Sequence, residues 1–73
     1  MTPNELYAVG YAIEYSPWGV YVYRETLDHM ETLETTTVSF ERPVTSEEAQ
    51  RRGWEAATVD FVKRRLDVDA KRV

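Results

Sequence analysis

Two stretches of this chain fit together in one antiparallel register, and that register limits the fold more than any other feature. Trp18 to Thr26 and Thr32 to Arg42 are both rich in β-branched and aromatic residues. A three-residue loop at Asp28-His29-Met30 sets Val20 opposite Val38, Trp18 opposite Phe40 and Arg24 opposite Glu34. Two apolar pairs and one charge pair arise from a single alignment. The spacing therefore predicts a hairpin with Thr36, Val38 and Phe40 turned to the apolar side. Thr35, Thr37 and Ser39 turn to the other side with Tyr21 and Tyr23.

An earlier run, Leu6 to Tyr15, reads as a further strand. Tyr7, Val9, Tyr11, Ile13 and Tyr15 share one parity, and Ala8, Gly10 and Ala12 share the other. With Ser16 and Pro17 as the loop, Ile13 falls opposite Val20 and Tyr11 opposite Val22. Tyr21 and Tyr23 then lie beside Ala12 and Gly10. Pro43 ends the third strand, and Thr45-Ser46-Glu47-Glu48 has the pattern of a capping box with Thr45 as N-cap and Glu48 at N3. A helix over 46–66 follows, with acids early and Lys63, Arg64 and Arg65 late, as the helix dipole favours. Its apolar stripe is Trp54, Ala57, Phe61 and Val62, with Thr58 inside it. Gly53 requires either close packing on the sheet or a kink.

The expected fold is α+β: a three-stranded antiparallel meander (strands 6–15, 18–27 and 31–42), then one C-terminal amphipathic helix on one sheet face. Residues 1–73 form one domain, and 67–73 fray. The expected core is Val9, Tyr11, Ile13, Val20, Val22, Val38, Phe40, Trp54, Ala57, Phe61 and Val62. Seventy-three residues make a thin core, so exposed sheet edges predict a homodimer through edge pairing or the tyrosine face.

Composition removes most chemistry. With no cysteine there is no disulfide scaffold, thiol nucleophile or cysteine zinc site. No apolar run approaches membrane length and no leader pattern opens the chain, which predicts a cytoplasmic, intracellular protein. His29 is the single histidine, beside Asp28. It reads as an exposed turn residue more readily than as a general base or a metal ligand. Asp67-x-Asp69 lacks the rest of a calcium loop, and no serine or glycine pattern forms a nucleophile elbow or a phosphate cradle. Neither catalysis, nor a cofactor, nor a metal is expected.

Charge and aromatics point instead to binding. Residues 1–45 carry two cations against seven acids, whereas 46–73 carry seven cations against six acids. Phosphate contact by the strands is disfavoured, and the helix's basic residues are interleaved with acids, so direct nucleic-acid binding is not expected. Tyr21 and Tyr23, with the hairpin acids Glu25, Asp28, Glu31 and Glu34, form the expected surface for a protein partner with a basic patch. Small size, an acidic hairpin and absent reactive motifs are shared by many accessory proteins of phages and mobile elements, including inhibitors of host defence systems. The competing reading is a dimer whose tyrosines stack and sequester a nucleotide-like ligand.

Overall fold

The computed structural model describes residues 1–26, 28 and 30–70. Its elements run α1 (Pro3–Ala8), β1 (Tyr11–Ser16), β2 (Gly19–Glu25), β3 (Thr32–Ser39) and α2 (Ser46–Ala70). The strands form one antiparallel sheet in the order β1-β2-β3, with α2 packed on it, so the α+β meander-and-helix architecture holds.

The β2–β3 register is the expected one from Gly19 to Arg24, with Val20 across from Val38 and Arg24 across from Glu34. It slips by one at Glu25, which pairs with Thr32, so the three-residue loop at 28–30 is not kept. The alignment extends past the strand end, where the Phe40 N–H donates to the Trp18 carbonyl at 2.9 Å. At the first hairpin the register moves by two. Ser16 pairs with Gly19, which puts Pro17-Trp18 in the turn and sets Ile13 across from Val22 and Tyr11 across from Arg24. A shift of two preserves the faces, so the apolar set still meets the helix.

Three sequence expectations are corrected. Residues 3–8 are helical, so 6–8 are not the start of the first strand. Thr2-Pro3-Asn4-Glu5 is itself a capping box: the Glu5 N–H donates to the Thr2 hydroxyl at 3.2 Å, and the Thr2 N–H donates to the Glu5 carboxylate at 3.3 Å. Gly10 then turns the chain into β1 at φ 101°, a backbone state that favours glycine, with its carbonyl accepting from the Glu25 N–H. Val9 consequently caps α1 and is partly exposed, while Leu6 is fully buried in the core. Val62 also leaves the core, at 48% exposure, because it turns roughly 140° from Ala57 around the helix. Finally, α2 continues to Ala70, since nothing after Gly53 breaks a helix; residues 71–73 lie outside the described residues.

The Thr45 hydroxyl accepts from the Glu48 N–H at 3.1 Å as the cap requires, but the Glu48 carboxylate turns to Arg51 and Arg52. The core comprises Leu6, Tyr11, Val20, Val22 and Ala57, with Ile13, Phe40, Trp54, Ala56 and Phe61 packed against it. Close packing, not a kink, explains Gly53. A Cβ placed there would stand 2.7 Å from both Ile13 Cδ1 and Val20 Cγ1. Ala at an exposed helix position gains about 1 kcal/mol over Gly, whereas overpacking costs about 1–3 kcal/mol. Gly53→Ala is therefore expected to lower unfolding free energy in urea by about 1 kcal/mol, and by less in an Ile13→Val background.

Candidate binding face

Because α2 covers the Tyr11, Ile13, Val20 and Val22 side, alternation leaves the other sheet face open. Tyr21 and Tyr23 stand two apart on β2 on that open side. Their ring centroids are 5.6 Å apart and the planes are tilted by 35°. Across the ladder from them stand Glu14 and Ala12 on β1 and Thr37 on β3. The face is thus aromatic at its centre and carboxylate-bearing on the β1 side.

The electrostatics of Tyr23 record this arrangement. Burial is the largest influence raising its phenol above the ordinary tyrosine range, followed by the nearby Glu14 and Glu25 carboxylates and the Tyr21 and Tyr7 phenols. Tyr7 reaches the cluster from α1 and is itself exposed. Towards the first hairpin the face opens into a groove of about 430 Å³, where Glu14, Tyr15, Trp18, Tyr21 and Thr37 are among the lining residues. Trp18 is 63% exposed there. The paired backbone near Phe40 holds the turn while the indole remains at the surface.

The six residues expected to bind a partner do not form one cluster. Tyr21, Tyr23 and Glu25 belong to β2. Asp28 and Glu31 are exposed in the second hairpin connection, and Glu34 stands across from Arg24 in the strand register. Asp28 has a structural role: its carboxylate accepts from the Met30 N–H at 3.1 Å and bonds the Thr26 hydroxyl. Glu14 and Trp18 are face residues that the sequence reading missed. Glu14 was legible as an alternate neighbour of Ala12; Trp18 depends on the turn. His29 lies outside the described residues. Among the described residues, no three His, Cys, Asp or Glu side chains are grouped to hold a metal, and no helix is long and apolar enough to cross a membrane.

The helix side carries a polar tie. The Tyr11 hydroxyl donates to Asp60 Oδ2 at 2.6 Å, and Arg64 Nε donates to the same oxygen at 2.8 Å. Tyr11 also meets Phe61 edge-on at 6.4 Å. Burial first, and the Asp60 hydrogen bond and charge second, push the Tyr11 phenol up to about 12 from the ordinary 10. Between those values the folded state holds a proton that the unfolded state has lost. Stability is thus full below pH 10 and falls by roughly 2–3 kcal/mol as pH rises through about 12. Tyr11→Phe is expected to cost about 1–2 kcal/mol at pH 7 and to flatten that alkaline decline, as read by denaturant titration at each pH. Compared with protein-family models, curated proteins and solved structures, the chain matches none of them.

Proposed function

We propose that this chain is a non-catalytic protein-binding module that docks a basic segment of a protein partner on its open sheet face. The observation that carries the reading is the Tyr21–Tyr23 pair, uncovered by the helix and bordered by Glu14 and Glu25. Aromatic faces flanked by carboxylates suit Arg and Lys side chains, which stack on the ring while the charge is met at its edge. The acids of the second hairpin, Asp28 and Glu31, extend the negative field and speed encounter with a cationic surface. Occupying such a surface blocks whatever else it binds, the mode of action expected of a small accessory inhibitor encoded by a phage or mobile element. The same carboxylates argue against stacking a nucleotide between these tyrosines, because they repel its phosphates.

A photo-crosslinking residue at Thr37, on the open face but outside the tyrosine pair, tests this in the cells that make the protein. The expected adduct joins a Lys- or Arg-rich segment of one partner. Tyr21→Ala or Glu14→Lys is expected to reduce it at least about tenfold while circular dichroism stays unchanged. An adduct on an acidic segment, or one that survives both substitutions, overturns the proposal.

A further inference from the structure

On the helix side, where the β1–β2 pair meets the last turns of α2, lies a separate cavity of about 310 Å³. Arg24 reaches it from β2, and Arg64 and Arg65 reach it from α2. Val9, Phe61 and Val68 supply apolar wall, and Tyr11 closes the sheet side. The volume is that of a small-ligand pocket, and the lining joins a few polar groups to apolar surface, the usual composition of such sites.

Three arginines line this cavity, and the nearby carboxylate of Asp60 accepts from the Tyr11 hydroxyl and Arg64 Nε on one oxygen. Arg24 Nε is buried and has no hydrogen-bond partner. A buried cationic N–H without an acceptor is costly; that nitrogen is closed to solvent, so an anion in the cavity meets the guanidinium's charge rather than the Nε itself, with charge-assisted strength. Val68 and Val9 are partly exposed beside it, leaving apolar surface for the rest of a ligand.

We propose that this cavity binds a small amphipathic anion, with a carboxylate or phosphate-ester head among Arg24, Arg64 and Arg65 and an apolar body against Val9, Phe61 and Val68. The site uses residues on the opposite side of the sheet from the tyrosine pair, so it stands whether or not that face docks a protein.

The test is a titration of the isotope-labelled full chain with phenyl phosphate, hexanoate, inorganic phosphate and benzyl alcohol, followed by amide chemical shifts. Phenyl phosphate or hexanoate is expected to shift Val9, Arg24, Phe61, Arg65 and Val68, and whichever binds tighter names the head group. Inorganic phosphate and benzyl alcohol are expected to bind at least about tenfold more weakly, since each lacks half of the recognition. Arg24→Met is expected to abolish binding. The exposed Arg65→Gln, which leaves the core untouched, is expected to weaken it about tenfold, and Arg52→Gln on the outer surface to leave it unchanged. The proposal is overturned by no binding of either amphipathic anion up to about 10 mM. It is equally overturned by inorganic phosphate or benzyl alcohol binding as tightly, or by equal weakening in the Arg52 and Arg65 variants.

Discussion

The contact on which this structure turns is the approach of α2 to the sheet at Gly53. A helix backbone rides directly over Ile13 and Val20 there, without even a methyl group between them. Such closeness fixes which sheet face is buried and how far along the sheet the helix lies. The Tyr11–Asp60 hydrogen bond fixes the same packing two turns later, so the helix is tied to the sheet by a shape constraint and a polar one. Twenty-five helical residues span roughly 37 Å, well beyond the width of three strands. The later turns therefore carry exposed Val62, Leu66 and Val68, and the cationic cavity forms where the helix runs past the strands.

That geometry sorts the charge that the chain segregates by position. Two strand acids, Glu14 and Glu25, are brought near the tyrosines of the open face. Helix cations are divided by the 3.6-residue period. Arg51 and Arg52 join Glu48 and Glu55 in exposed i,i+3 and i,i+4 pairs that add little stability. Arg64 and Arg65 line one cavity with Arg24, one of two cations in a segment that is mostly acidic. One small sheet thus offers surfaces of opposite character on its two sides.

The central hairpin was legible because strand alternation and charge pairing agreed on one register, and Val20–Val38 and Arg24–Glu34 are both in place. The first hairpin was legible in its faces but not in its turn. Pro17 sits inside the turn with Trp18, and a two-residue slide leaves every side chain on the same side. The N-terminal helix was missed because Tyr7, Val9 and Tyr11 happen to alternate, and a six-residue helix offers too few positions to show its own period. Its start signal, Thr2-Pro3-Asn4-Glu5, was present but went unread. Parity alone put Tyr21 and Tyr23 on one face; that the helix covers the other follows from its packing on Ile13 and Val20 and its bond to Tyr11. The cavity was not legible, because Arg24 and Arg64 are forty residues apart and come together only through the placement of the helix.

Adjacent residues of β2 contribute to both surfaces: Tyr23 to the open face and Arg24 to the cavity, pointing to opposite sides of the same strand. A ligand on one side has no direct contact with a partner on the other, so any coupling must travel through the strand itself. β2 is the central strand, hydrogen-bonded on both edges, which makes it the element least free to move. The two surfaces are therefore expected to act independently, except through the stability of the whole. Among the described residues Leu6 alone is a large, fully enclosed side chain, and in so thin a core occupancy of either site stabilises the fold that presents the other.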